Sequence, residues 1–455
     1  MHMPPTEQGG GPPGQGQTTT VTLAEALALA VEKHRGGRFA EAAGIYQQIL
    51  EVVPDHIDAL HFLGVAEHQA GRAAVALELM NRTLALAPRH VDALSNRGNI
   101  HRSLGRLAQA EADYQQALAL RPDDPNTLNN LGTVLRARGD WQGAETAFRA
   151  AIAGNADHAP AWQNLGGTLQ SLRRGGEALR AFEQAARLAP DSADMFRDLG
   201  MALYTEGRLR EAIAMYRRCL ALRPGDSRAQ HLLVACTGQD APARAPDDYV
   251  RAEFDHFAAN FDAKLASLEY RGPALIREAV EEIAGDLPPR PVVFDAGCGT
   301  GLCGPLLRPR AGLLVGVDLS PAMTALARER GVYDELVVEE LTAFLRQRAC
   351  GGDLIVSADT LVYFGDLAEV IAAAAGALRP GGALVFTLER AEPGDAPAGF
   401  HLHPHGRYSH TREYIARALG GAGFVDTVIR EISSRKEAEA WVPGWLARAR
   451  IPASS

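Results

Sequence analysis

The chain has 455 residues, of which 46% are hydrophobic and 22% charged, and its formal net charge is -9. A chain of this length and composition is expected to fold into about two to four domains. The negative charge argues against a protein that binds nucleic acid through general phosphate attraction. No run approaches the roughly 18 apolar residues that a membrane-spanning helix needs.

Residues 1–20 are rich in Gly, Pro, Gln and Thr, and they lack the basic start and apolar core of a signal peptide. We therefore expect a disordered tail there. The cysteines are odd in number and without metal-binding spacing, so we expect free thiols in a reducing cytoplasm. They are Cys219, Cys236, Cys298, Cys303 and Cys350.

The next stretch repeats with a period of 34 residues. Prolines recur at this spacing, with one gap of twice the length, at Pro54, Pro88, Pro122, Pro190 and Pro224. Glycines do the same at Gly64, Gly98, Gly132, Gly166 and Gly200. A bulky position follows the same period at Tyr46, Met80, Tyr114, Phe148, Phe182 and Tyr216. A fixed period of this length indicates stacked helical repeats.

The period and the signature positions resemble the tetratricopeptide repeat family. The resemblance implies two short amphipathic helices per unit, in six units over about residues 23–226, that bury their apolar faces by stacking. The small residues allow the helices to approach closely, and the bulky residue is expected to fill the space between units. Thr22 and Glu25 predict a capping box at the start, and residues 227–236 predict a terminal helix. We assign 21–237 to this repeat domain, an all-α superhelix.

A row of asparagines occupies one position of the repeat, at Asn96, Asn130 and Asn164. In the family this position lies on the inner face, where amides can donate to and accept from an extended peptide backbone. The alternative is that each asparagine binds a neighbouring helix or loop. The resemblance implies that a protein or peptide is the partner of the array.

Residues 238–247 are rich in Pro and Ala, and we place a short linker there, before a second domain at 248–455. An amphipathic helix with aromatic residues is predicted over Tyr249–Asn260, and another ends near Ala284. This stretch either caps a ligand site as a lid or packs as the first helix layer.

From residue 291 onward strands and helices alternate, which predicts a mostly parallel sheet with helices on both faces. We predict strands at 291–296, 313–317, 335–338, 353–357, 383–388 and 424–432, with a weaker one around 441–448. We predict helices at 302–307 and near 321–330, 340–348, 366–378 and 411–420.

The first of these strands ends in Asp295-Ala-Gly297-Cys-Gly299-Thr-Gly301. Glycines at a strand end let the backbone approach a ligand closely. A dinucleotide site expects G-x-G-x-x-G, and here Leu302 stands where the last glycine is required. The pattern D-x-G-x-G-x-G instead resembles the first motif of class I S-adenosylmethionine-dependent methyltransferases. That resemblance implies a doubly wound, Rossmann-like domain of seven strands.

Further motifs follow in order over residues 291–390. Asp318 ends the second strand, where a carboxylate can accept from both ribose hydroxyls. Glu340, or its neighbour Glu339, follows the third strand at the position of the family's adenine-binding acid. Pro380-Gly381-Gly382 precedes the fifth strand. The resemblance implies that S-adenosylmethionine binds at Asp295, Gly297, Gly299, Gly301, Asp318, Leu319, Glu340 and Asp359.

Catalytic residues are expected after strand four or in the insertion after strand five. Asp359, Tyr363 and His410 satisfy that condition. A base is required only when the acceptor must lose a proton. His410 is a candidate for such a base, with a surface or packing role as the alternative, and Tyr363 fits a pocket wall better than a base.

The insertion carries alternating histidines at His401, His403 and His405, which suggests a metal site. No cysteine or carboxylate completes such a site and Pro404 favours a loop, so we expect no metal. Arg407 and Tyr408 are candidates for binding an acidic or aromatic acceptor. Cys298 and Cys303 are interpreted as small packing residues.

These observations predict an S-adenosylmethionine-dependent methyltransferase with a peptide-binding repeat array. A rival of another class is a scaffold whose methyltransferase-like domain binds the donor without turnover. A nicotinamide-dependent oxidoreductase is disfavoured by Leu302. Protein side chains, sugars, lipid-linked intermediates and small metabolites all stay open as acceptors.

Overall fold

The computed structural model describes residues 21–238, 241–437 and 440–453. The expected disordered tail at 1–20 lies outside the described residues. The chain groups into two compact units, Met1–Ala156 and Asp157–Ser455. The second unit contains the last two repeats together with the α/β region. The boundaries that we assigned at 238 and 247 stay predictions.

The first unit consists of helix pairs of almost constant length. They are α1 (Leu23–Arg35), α2 (Phe39–Val52), α3 (Ile57–Gln69), α4 (Ala73–Leu86), α5 (Val91–Ser103), α6 (Leu107–Leu120), α7 (Pro125–Ala137) and α8 (Trp141–Gly154). The second unit continues the pattern with α9 (Ala159–Ser171), α10 (Gly175–Leu188), α11 (Ala193–Thr205), α12 (Leu209–Leu222) and the terminal helix α13 (Ser227–Thr237).

In the first five repeats, the first helix starts at a residue whose side chain caps it, whereas the Ser192 side chain before α11 makes no capping bond. The predicted box between Thr22 and Glu25 is confirmed, and histidines or aspartates take the same place in later repeats. The side chains of His56, His90, Asp124, His158 and Asp226 each accept a hydrogen bond from a backbone N–H three residues on. Each of these acceptors satisfies an otherwise unpaired N–H group at the start of its helix.

The repeated glycine is required by the repeated ring. A Cβ atom built on Gly98 would lie 2.5 Å from Tyr114, and one on Gly132 would lie 2.6 Å from Phe148. These rings therefore lie directly on the glycine of the other helix in the same repeat. The bulky residue thus packs within its own repeat, which the expectation that it fills the space between repeats did not include. Tyr46 does reach the next repeat, where its ring stacks on Phe62.

The α/β region begins with helices α14 (Asp247–Phe257), α15 (Phe261–Ser267) and α16 (Gly272–Glu282), and short 3-10 turns lie at 258–260 and 284–286. Its strands are β1 (Val292–Ala296), β2 (Leu313–Asp318), β3 (Glu335–Val338), β4 (Gly352–Ser357), β5 (Leu378–Arg390), β6 (Phe400–Leu402), β7 (Tyr408–His410), β8 (Val425–Glu437) and β9 (Ala440–Arg450). Between them lie α17 (Gly304–Leu307), α18 (Pro321–Glu329), α19 (Leu341–Gln347), a 3-10 turn at 361–363, α20 (Ala368–Ala377) and α21 (Arg412–Gly421).

Strands β3, β2, β1, β4 and β5 lie side by side in that order and are parallel. Strand β9 pairs antiparallel with β5, and β8 pairs antiparallel with β9. These seven strands confirm the predicted α/β fold. The hairpin β6–β7 joins the sheet at the end of β5 and was not predicted. Pro404 lies in the turn between β6 and β7, so it does not interrupt either strand.

Both faces of this sheet are covered. Val293 packs on one side with Ile276 of α16, and the next residue, Phe294, packs on the other with Ile371 of α20. Burial on both faces explains why β1 is a continuous apolar run and not an alternating one. No helix among the described ranges is long and apolar enough to cross a membrane.

The segment predicted as a linker makes contacts along its described residues. The carbonyl of Ala243 accepts hydrogen bonds from the backbone N–H groups of Gly365 and Asp366, and the N–H of Ala245 donates to Tyr363. The Tyr408 hydroxyl donates to the Pro242 carbonyl at 2.8 Å. These residues thus follow the turn after β4 instead of crossing solvent.

Candidate donor-binding site

The glycine turn after β1 has the backbone that its sequence requires. Gly297, Gly299 and Gly301 have φ of 75°, 55° and 85°, a region that side chains disfavour. A Cβ on Gly297 would also lie 2.0 Å from the Thr360 hydroxyl. The turn therefore presents bare backbone at the carboxyl end of the sheet, where ligands of doubly wound folds bind.

Asp318 ends β2 beside this turn. One carboxylate oxygen accepts from the Gly299 N–H at 2.9 Å, and the other accepts from the Ser320 N–H at 2.9 Å. Burial raises the pKa of this carboxyl against the effect of these backbone donors. Asp318 thus joins the glycine turn to the β2 loop, and each oxygen has lone pairs left for a ligand.

Asp295 lies under the turn and is almost fully buried. One of its oxygens accepts from the Tyr333 hydroxyl at 2.6 Å. The other, Oδ1, is buried and has no hydrogen-bond partner among the described residues. Burial raises the pKa of Asp295 to about 7. An unpaired buried carboxylate oxygen lowers the stability of the folded protein, so its presence suggests a bonding partner that is not part of the chain.

The other predicted donor contacts lie on the same edge of the sheet. Glu340 follows β3, and its carboxylate caps α19 by accepting from the N–H groups of Thr342 and Ala343. Glu339 accepts from the Gln347 side chain. The carbonyl of Leu319 accepts from Arg251 at 3.4 Å. The adenine role of Glu340 stays a prediction, since both of its oxygens already serve the helix.

These features fit S-adenosylmethionine. Its ribose hydroxyls match the remaining lone pairs of Asp318, and its ammonium group matches the unpaired oxygen of Asp295. Gly299 leaves room for close approach of a ligand to the backbone, since the nearest atom to an added Cβ there, on Phe261, is 3.9 Å away.

Asp359 follows β4 in a left-handed backbone conformation, with φ of 54°. Non-glycine residues adopt this conformation at an energetic cost and often at functional sites. Its carboxylate accepts from the Thr387 hydroxyl at 2.6 Å and from Arg435 at 3.2 Å. Burial nevertheless raises the pKa of Asp359. The structure places it beside the glycine turn, since the next residue, Thr360, donates to the Gly297 carbonyl.

Tyr363 lies in the turn after β4 and packs edge-on against Phe254, with ring centroids 5.4 Å apart. Burial raises its pKa to about 12, so it keeps its proton at neutral pH. This geometry suits a wall and not a base.

His410 does not lie at an opening of the site. It is fully buried in β7, with its Nε2 3.0 Å from the Gly365 carbonyl and its ring stacked on Tyr414. Burial lowers its pKa to about 4. The core position supports the packing role that was the alternative to a base at His410.

A group of buried and partly buried charges at the ends of β5 and β8 was not predicted from the sequence. Arg435 pairs with Glu389 and Glu437 as well as Asp359, and Arg407 pairs with Glu389 and Glu437. Burial acts to raise the pKa of Glu389, but the two arginines outweigh it and lower this pKa to about 2. Arg407 is therefore already paired, and Tyr408 is buried, so neither is free for an acceptor as we had suggested.

The histidine insertion forms a stack and not a chelate. The rings of His403 and His405 lie 5.0 Å apart and nearly parallel, and His403 bonds the Ser409 hydroxyl at 2.7 Å. No group of three metal-ligating side chains was found within the described part of the chain. Cys298 and Cys303 are buried, and burial raises the pKa of both thiols.

The asparagine row does not consist of equivalent members. The amide nitrogen of Asn96 lies 2.9 Å from His61 Nε2, and Asn99 donates to the Asn96 oxygen. Asn164 also has a partner. The Asn130 side chain has none within the described residues. The structure thus supports the bonding alternative at Asn96, and peptide binding by the three residues stays a prediction.

Comparison with known families matches both regions. Residues 294–386 match the model of a methyltransferase domain. Residues 27–91, 90–156 and 164–227 match tetratricopeptide repeat models. The glycine turn and both acids that flank it lie at or within the first of these ranges.

Similar proteins in the curated collections are methyltransferases. Methyltransferase-like protein 27 of Homo sapiens is 36% identical over 84 residues, which cover 18% of this chain and 34% of that protein. The ubiquinone biosynthesis O-methyltransferase of Xanthomonas axonopodis pv. citri is 32% identical over 132 residues, which cover 28% of this chain and 51% of that protein. The chain thus spans about a third and about half of these relatives.

Two solved structures match a little under half of this chain. A chain of the APC/C hetero-tetramer Cut9-Hcn1 matches with 22% identity and a TM-score of 0.45, over 47% of this chain and 42% of that one. The type IV pilus biogenesis factor PilW matches with 20% identity and a TM-score of 0.44, over 46% of this chain and 98% of that one.

Proposed function

Because the chain combines a methyltransferase domain with tetratricopeptide repeats, we propose that it is an S-adenosylmethionine-dependent methyltransferase whose repeat array binds a protein or peptide. The observation that carries the donor assignment is the pairing of Asp318 with Gly299 beside the unpaired oxygen of Asp295. The family match and the relatives support it.

S-adenosylmethionine, when bound, supplies a methyl group on a positively charged sulfur. The contribution of this chain is to hold and orient. Asp318 would hold the ribose, Asp295 the ammonium group, and the glycine turn would pass under the methionine portion. Orientation of this kind can supply roughly 7–11 kcal/mol of a reaction barrier.

The residues near the acceptor side suit orientation better than proton removal. Tyr363 keeps its proton, His410 is enclosed, and Asp359 is bound to Arg435 and Thr387. Among the three, Asp359 alone combines a carboxylate with a position beside the glycine turn. We therefore propose Asp359 as the residue that orients groups at the reaction centre.

Isothermal calorimetry with S-adenosylmethionine and S-adenosylhomocysteine tests the donor assignment directly. We expect binding of both in the micromolar range or tighter, and folded protein that binds neither at millimolar concentration overturns the proposal. Incubation of the protein with methyl-labelled donor and cell extract then separates the enzyme from a scaffold that binds without turnover. The enzyme labels a component of the extract, and the scaffold labels none.

A further inference from the structure

Helix α14 and helix α15 lie against both loops that form the donor site. On the β2 side, Asp255 accepts from the Ser320 hydroxyl at 2.5 Å and from the Ala322 N–H at 3.3 Å. Ser320 follows Asp318 by two residues and starts α18. Asp255 thus fixes the loop that carries the ribose-binding carboxylate.

On the other side, α15 holds the glycine turn. Asp262 accepts from the Thr300 hydroxyl at 2.5 Å and forms an ion pair with Arg330. Arg330 in turn donates to the Thr300 carbonyl at 2.5 Å. Thr300 lies between Gly299 and Gly301, so Asp262 acts on the middle of the turn.

Aromatic residues close the space between these two attachments. Phe261 is the nearest side chain to Gly299, 3.9 Å from the position of an added Cβ. The Phe254 ring lies 5.8 Å from Phe261 and 5.4 Å from Tyr363. Contacts of α14 and α15 therefore extend from the glycine turn to the turn after β4.

The opposite side of α14 contacts the last helix of the array. Tyr249 is buried, with its ring 4.4 Å from the ring of His231 on α13. Glu253 forms an ion pair with Arg228 of α13 at 2.7 Å. Tyr249 and Glu253 are one helical turn apart, whereas Asp255 faces the donor loops. A single helix thus connects the array to the donor site.

We propose that α14 and α15 are a cover over the donor site, in which Asp255 and Asp262 are positioning residues for the two donor-binding loops. We further infer that α13 holds this cover in place, so that the end of the array sets the rate at which donor and product leave. The inference rests on the proposed donor assignment, and it adds two residues that no motif identifies.

The test uses the full chain and measures dissociation of labelled S-adenosylhomocysteine after a chase with unlabelled compound. Asp255→Ala and Asp262→Ala are each expected to speed dissociation about threefold to tenfold, since each removes hydrogen bonds of partly exposed groups. Asp262→Asn keeps an acceptor for Thr300, and its dissociation rate is expected to lie between those of the wild type and Asp262→Ala. Glu281→Ala on α16 is the matched control, because it removes the same charge from a neighbouring helix and its partner is Arg277 of that same helix.

The array is tested by Arg228→Ala, with Arg210→Ala on α12 as its control. We expect about a twofold to threefold faster dissociation for Arg228→Ala and no change for Arg210→Ala. Thermal unfolding of each variant shows that the protein is folded, and Asp255→Asn replaces Asp255→Ala if the latter does not fold.

The outcomes are distinct. If the wild-type protein binds neither compound, the proposed function fails. If it binds and both aspartate variants release product at the wild-type rate, the cover fails. Faster release in the aspartate variants with an unchanged rate in Arg228→Ala overturns the role of the array.

Discussion

The repeat array and the donor site are built in opposite ways. In the array, each glycine and its ring lie within one repeat, as Gly98 and Tyr114 do, and such pairs recur every 34 residues. In the donor site, the pairs join separate segments, such as Asp262 with Thr300 and Arg435 with Asp359. Substitutions in the array should therefore change stability, and substitutions in the donor site should change ligand binding.

The largest effect is expected for Asp318→Ala. The substitution removes the carboxylate that binds the ribose and also the bonds to Gly299 and Ser320. The two hydrogen bonds from the ribose hydroxyls to this charged group are worth about 3–6 kcal/mol together. Their loss should lower donor affinity about 100-fold or more. Calorimetry measures it.

Asp334→Ala is the control for Asp318→Ala. Asp334 also bonds a backbone N–H group, that of Leu314, and an arginine, Arg308, but at the start of β2. This variant should lose stability and retain donor affinity. Unchanged donor affinity in folded Asp318→Ala would contradict the ribose assignment.

The second prediction concerns packing in the array. Gly98→Ala places a Cβ against the Tyr114 ring and should lower the free energy of unfolding by about 1–3 kcal/mol. Gly44→Ala lies within α2 with open space around it, and it should raise stability by about 0.5–1 kcal/mol. Chemical denaturation of both variants measures the difference.

Donor affinity should be the same in Gly98→Ala and in the wild type at a temperature where both are folded. A large loss of affinity in Gly98→Ala would show that packing of the first unit and donor binding are coupled. It would contradict the expectation that substitutions in the array change stability and not ligand binding.

The same contrast explains what the sequence could predict. The capping box, the other helix starts and the glycine with its ring follow from residues three to sixteen positions apart, and the last two recur from repeat to repeat. The strand, turn and acid around Asp295 and Asp318 were predictable because backbone conformation demands glycine there. Asp255, Asp262 and Arg435 gave no such signal, because a single exposed or charged residue acquires its partner only when distant segments fold together.

His410 is a residue whose burial could not be predicted from the sequence. Its place in an insertion after strand five suggested an accessible base, but the hairpin β6–β7 adds to the sheet and encloses it. Three-residue strands are too short to show a period, so the hairpin was not predictable from alternation.

The third prediction concerns pH. The pKa of Asp295 is raised to about 7, so the carboxyl is largely protonated below that pH. An ionised carboxylate is the form that attracts the ammonium group of the donor, and binding must first remove the proton. Donor affinity should therefore rise with pH, by at most about tenfold per unit below pH 7, and level off above it.

Calorimetry between pH 6 and pH 8, compared with Asp295→Asn, isolates this effect, because titration of the donor itself is common to both proteins. Asp295→Asn should lose the part of the pH dependence of donor affinity that comes from titration of Asp295. An identical pH profile in the two proteins would contradict contact between Asp295 and the ammonium group.

The smallest effects are expected in the asparagine row. Asn96→Ala removes the bond to His61 and the one from Asn99, and should lower the free energy of unfolding by about 1 kcal/mol. Asn130→Ala should change it by less than about 0.5 kcal/mol, since its side chain has no partner within the described residues. If the two variants lose equal stability, the distinction between them is wrong. If they differ as expected, Asn130 is the position at which an amide is free for a peptide. The asparagine row can then bind a peptide only at positions whose amide does not bond another residue of the array.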